Sequence, residues 1–162
     1  MAAIYILDAN ALIDMKAIAT ADQWEFFSAL AERVDRGQVT IPSHVINEVG
    51  GPRVQHPDMP GAWAKGMESR MRHPLEADPR FVANVMSETP TLLDPDADTE
   101  QADPYVLALA LHLRDQDHNP IVVTKDRKDR PGRISLKTAC AHFDIPCDWL
   151  EDFIAWLENS ES

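Results

Sequence analysis

The chain has 162 residues, a formal net charge of −12, 44% hydrophobic residues and 26% charged residues. That length and balance suit a single domain over 1–162 with a real core and exclude an intrinsically disordered chain. The apolar runs are far too short to span a bilayer and no basic region precedes the first of them, so a cytoplasmic protein with no membrane partner is expected.

The first apolar run, Ala3 to Leu7, is of strand length. It delivers Asp8 and Asn10, and then Leu12, Ile13 and Ile18 at helical spacing. In parallel α/β folds ligands gather outside the carboxyl ends of the strands, which makes Asp8 the first candidate site residue. An acid that ends an otherwise apolar strand needs a partner. Asn10 can orient it or a bound water, and Asn is also a common helix-start residue. Asn10 to Lys16 reads as a short helix in which Asp14 is a solvated acid. Thr20-Ala21-Asp22 offers N-caps for an amphipathic helix through Arg36, with Trp24, Phe27, Leu30, Ala31 and Val34 on one face and Gly37 at its end. Val39 to Ile41 is a second short strand. Pro42 and Ser43 lead into a helix over His44 to Val49 that carries Glu48, and Gly50-Gly51-Pro52 ends it.

Between Pro57 and Glu88 the pattern predicts helices over Trp63–Met71 and Pro79–Glu88, with Met67, Met71, Phe81, Val85 and Met86 as a core stripe. Leu92 to Glu100 is an acidic loop. Its Asp94-x-Asp96-x-Asp98 run is not a calcium loop: Thr99 stands where glycine is needed, and Tyr105 where a bidentate glutamate is needed. The next helix has Asp103 as its N-cap, Pro104 at its first position and an apolar face of Val106, Leu107, Leu109, Ala110 and Leu113. Ile121 to Thr124 is a buried parallel strand followed by Asp126. Lys125 to Arg133 is a charged loop, Ser135 to His142 a helix and Ile145 to Cys147 an edge strand, and Asp148 caps a last helix through Leu157. Cys140, His142 and Cys147 match no usual zinc spacing, so the cysteines are expected as buried free thiols. Strands alternating with helices predict a three-layer α/β/α sandwich with a central parallel sheet of four or five short strands.

Asp8, Glu48, Asp103 and Asp126 all sit where strands hand over to helices or loops, and a parallel sheet gathers such ends on one edge. Carboxylates suit Mg²⁺ or Mn²⁺, ions that activate water and neutralise charge on a phosphodiester. Each acid also has an ordinary reading: Asp103 as an N-cap, Glu48 as a solvent-facing helical acid, Asp126 as a turn residue. The negative total does not favour nucleic-acid binding. Positive charge is nevertheless concentrated in Lys125, Arg127, Lys128, Arg130 and Arg133, which can hold phosphates or form a solvated loop. Arg53 to Arg72, with Trp63, is a second candidate for single-strand contact.

Four stretches in this order resemble the PIN-domain ribonucleases: Tyr5-Ile6-Leu7-Asp8-Ala9-Asn10-Ala11-Leu12-Ile13; Ile41-Pro42 leading to Asn47-Glu48-Val49; Ala102-Asp103-Pro104-Tyr105-Val106-Leu107-Ala108-Leu109-Ala110; and Val122-Val123-Thr124-Lys125-Asp126. The likeness runs through nearly the whole chain and is greatest to an uncharacterised bacterial and archaeal branch of that superfamily. It implies a PIN-like fold and a metal-dependent endoribonuclease, often the toxin of a toxin–antitoxin pair similar to the virulence-associated protein C toxins. Asp8, Glu48 and Asp103 would then be the principal metal and catalytic acids, with Asp126 a supporting fourth. Thr124 would hold the Asp126 loop, and Asn10 would support the acids. RNA would be the substrate and Mg²⁺ or Mn²⁺ the cofactor. An antitoxin protein would be a partner, and a homodimer is an assembly the resemblance allows. Two positions depart from the pattern: Ala9, where a hydroxyl residue is frequent, and Lys125, where an acid often follows the threonine. The alternatives are a non-catalytic PIN-like interaction module and another Mg²⁺-dependent phosphoesterase. Asn10 in place of a second aspartate disfavours a haloacid-dehalogenase type of phosphatase, and no P-loop or G-x-G-x-x-G fingerprint is present.

Overall fold

The computed structural model describes residues 3–17, 20–51, 54–55, 58–93 and 101–159. Its centre is β1, Ala3–Leu7, whose Ile4, Tyr5, Ile6 and Leu7 are all buried although alternate side chains point to opposite faces. A strand buried on both sides needs cover on both sides, which is the condition of a parallel sheet between helical layers. The sheet has four strands in the order β2-β1-β3-β4, all parallel, with β2 at Val39–Thr40, β3 at Asn119–Thr124 and β4 at Cys147–Trp149. Helices flank it, giving the expected α/β/α sandwich.

The helices follow the sequence signals closely. They are α1 at Ala9–Asp14, α2 at Thr20–Asp35, α3 at Ser43–Gly50, α4 at Met59–Met67, α5 at Pro79–Glu88, α6 at Asp103–Asp115, α7 at Leu136–His142 and α8 at Leu150–Asn159. Aspartate N-caps open α1, α4 and α5, where Asp8, Asp58 and Asp78 accept from Ala11, Gly61 and Arg80 N–H groups. Gly37, with φ of 75°, ends α2 as a left-handed residue, and its carbonyl lies 2.8 Å from His73 Nε2. On α6, Val106 to Leu111 and Leu113 are all buried. A helix apolar nearly all round belongs in the interior.

Some expectations shift. Trp24 is 78% exposed, and the buried face of α2 is instead Phe26, Phe27, Leu30 and Val34. The helix foreseen at Trp63–Met71 starts four residues earlier, since Asp58 caps it and Pro60 suits its first turn, and it tightens into a 3₁₀ turn over Glu68–Arg70. The last strand lies at Cys147–Trp149, so Asp148 is a strand residue and not a cap. Tyr5 packs against Phe153 and Trp156 of α8, with ring centroids 5.3 and 4.5 Å away. No described helix is long and apolar enough to cross a membrane.

Candidate functional site

In the strand order β2-β1-β3-β4, successive connections leave β1 in opposite directions, so the topological switch lies between β1 and β3. The crevice outside that point is where open α/β sheets bind ligands. Asp8 follows β1 directly, and Thr124 is the last residue of β3, so the two stand on either side of the switch. Asp8 is fully buried. Its Oδ1 accepts from Ala11 N–H at 2.6 Å, and its Oδ2 accepts from the Thr124 hydroxyl. The Thr124 Oγ1 in turn accepts from Asp126 N–H at 2.9 Å. One hydroxyl therefore donates to the first acid and fixes the backbone of the fourth.

Asp126 is held from the other side, its Oδ2 accepting from Leu136 N–H at 2.8 Å at the start of α7. Asp103 is the first residue of α6. It is no N-cap: Ala102 takes that place without a side-chain bond. Its carboxylate instead accepts from Arg133 Nη2 at 2.9 Å, and the same nitrogen lies 3.6 Å from Asp126 Oδ2. The side chains of Arg133, Asp103 and Asp126 are only 17%, 14% and 8% exposed, so water screens this triad little. Glu48 stands on α3, one turn after His44, whose ring stacks on Tyr105 of α6 with centroids 3.5 Å apart.

The electrostatics tie the four acids together. Burial pushes the Asp8 carboxyl up to about 7, against the Thr124 and Ala11 hydrogen bonds, and repulsion from Asp103 and Asp126 adds to the rise. Burial also pushes Asp103 up to about 6, with repulsion from Asp126 adding and Arg133 opposing. Glu48 is raised, first by desolvation of its carboxyl and then by Asp103. Each of the three is thus lifted by burial and by at least one other member. As the side chains stand, no three of the described His, Cys, Asp or Glu residues converge closely enough to hold one ion.

Other candidates fall in varied places. Asn10 is exposed and makes no hydrogen bond to Asp8. Within the basic loop, Lys125 pairs with Asp14 at 2.7 Å, so that acid is not simply solvated. Arg127 pairs with Glu151 at 2.6 Å and covers the Trp149 ring at 3.9 Å. Lys128 and Arg130 are exposed. Arg133 belongs to the acids and not to the solvated loop, and spacing alone carried no signal of that. In the second basic segment, Arg53 lies outside the described residues, Arg70 pairs with Asp35, and Trp63 packs on Phe27. The Asp94–Asp98 run also lies outside the described residues. Cys140 is a buried and Cys147 a half-buried free thiol, while His142 turns to Glu88 at 3.2 Å.

No curated protein matches the chain. A family model described as "Domain of unknown function (DUF4411)" matches residues 5–159, from the middle of β1 to the end of α8, and so includes every candidate acid. The chain belongs to the DUF4411 family.

Proposed function

We propose that this protein is a PIN-like, Mg²⁺- or Mn²⁺-dependent endoribonuclease. The observation that carries the reading is Asp8, a fully buried carboxylate at the sheet's switch point, electrostatically coupled to Asp103 and Asp126. Burying mutually repelling acids is costly unless a cation compensates them. The donor set is wholly carboxylate oxygen, which fits a hard divalent ion. Asp8, Glu48 and Asp103 would hold it, with Asp126 in support. Bound there, the ion supplies activation of a water and neutralisation of charge on the phosphodiester. Thr124 keeps Asp8 aimed and the Asp126 loop in place. The exposed Lys128 and Arg130 would orient the RNA strand through its phosphates.

The test is cleavage of a mixed RNA pool by the partner-free protein with Mg²⁺ or Mn²⁺, set against Asp8→Asn. Cleavage that needs the metal and is lost in the variant is expected. A folded wild type that leaves RNA intact with either ion would refute the reading. A toxin role rests on the sequence resemblance and predicts slowed growth on expression, relieved by Asp8→Asn or by an antitoxin. Unaffected growth with abundant soluble protein would count against it. One observation favours the second reading, a non-catalytic interaction module: Arg133 already compensates Asp103 and Asp126.

A further inference from the structure

Arg133 stands between two of the candidate acids with its own hydrogen bonding incomplete. A single nitrogen, Nη2, serves both carboxylates, at 2.9 Å from Asp103 Oδ2 and 3.6 Å from Asp126 Oδ2, and the longer contact exceeds hydrogen-bond range. The Nε is buried without a partner. An arginine serving as a permanent brace usually sets two parallel N–H donors on one carboxylate. Arg133 does not.

Its surroundings let the side chain leave without rebuilding the loop. Paired backbone bonds to Arg130, at 2.8 and 2.9 Å, pin the Arg133 main chain, so only the side chain has to rotate. The neighbouring Gly132 faces open space. Asp126 keeps its bond from Leu136 N–H when the guanidinium departs, and Asp8 keeps Thr124 and Ala11. Asp103 is different. Arg133 is its one side-chain hydrogen-bond partner among the described residues, so its carboxylate is the one released.

We infer that Arg133 is a resident counter-cation of the acidic site, holding the Asp103 and Asp126 oxygens that a divalent ion would take, and that its side chain swings out when the ion binds. This rests on the metal-site reading above. A doubly charged ion bound among these acids would repel the guanidinium beside it, and it offsets four acids better than one guanidinium does.

Mn²⁺ binding to the full chain, measured by calorimetry or electron paramagnetic resonance, tests this for wild type, Arg133→Met and Arg133→Lys. With the repelling guanidinium removed, Arg133→Met should bind Mn²⁺ roughly tenfold more tightly than wild type, and Arg133→Lys should fall between them. In wild type, Mn²⁺ should speed modification of Arg133 by phenylglyoxal, read by peptide mass. Equal or weaker Mn²⁺ binding by a folded Arg133→Met, or an Arg133 no more reactive with Mn²⁺ present, would overturn the inference while leaving the metal site standing. Mn²⁺ binding by none of the three proteins would overturn both. If Arg133→Met does not fold, Arg133→Lys and the wild-type modification decide.

Discussion

At neutral pH the Asp8 carboxyl sits near the midpoint of its own titration, because burial and two neighbouring acids push it to about 7 from an ordinary value of 3.8. The sign of the consequence follows from proton linkage. Between the two values the folded protein binds more protons than the unfolded chain, so metal-free stability falls as pH rises from ~4 to ~7. Asp103, raised to about 6, acts in the same direction. Urea melts in chelator should therefore show a more stable wild type at pH 5 than at pH 8. Asp8→Asn, which removes the buried charge, should narrow that gap while abolishing metal-dependent cleavage. An unchanged gap would mean that Asp8 ionises in the fold as it does in water. Thr124→Val tests the linking hydroxyl. It leaves Asp8 Oδ2 and the Asp126 N–H without their partner, and should cost ~1–3 kcal/mol by urea melt. It should also lower activity about 10- to 100-fold.

Elements place these side chains by closing helix termini against strand ends. At the start of α7, the Ser135 hydroxyl accepts from Thr138 N–H at 3.1 Å, while Asp126 receives Leu136 N–H beside it. Ser135→Ala should lose ~1 kcal/mol of stability in a denaturant melt. Glu48 depends on close approach of α3 to α4. A Cβ on Gly50 would lie 2.3 Å from the Gly61 carbonyl oxygen, a contact with backbone that cannot yield locally. Gly50→Ala should therefore destabilise by ~1–3 kcal/mol in the same assay, by forcing the two helices apart. Most element boundaries were legible from the residues, since aspartate caps, first-turn prolines and apolar spacing are local signals. Asp103 was not. Its sequence context is that of an N-cap, but its carboxylate bends away to Arg133, thirty residues later, and no local pattern encodes that choice.

For the whole molecule, an ion that binds only the folded state stabilises it by an amount that grows with the logarithm of its concentration above the dissociation constant. At 100 times its dissociation constant, Mg²⁺ or Mn²⁺ should add about 2.7 kcal/mol. Chelation should reverse this, and Asp8→Asn should blunt it in a thermal melt; an identical metal response in the variant would place the ion elsewhere. The α/β class, the parallel sheet and the nomination of Asp8, Glu48, Asp103 and Asp126 all came from the amino-acid order. Strand and helix periodicity are local, and a carboxylate after an apolar strand is conspicuous in one dimension. The strand order, the Thr124 bridge from Asp8 to Asp126 and the lodging of Arg133 against two acids came from folding alone. Two of those contacts, Arg133 with Asp103 and Asp8 with Thr124, join residues 30 and 116 positions apart. They exist because packing β1 beside β3 brings their carboxyl ends together, and in that buried space each charge must find whatever partner the tertiary arrangement provides.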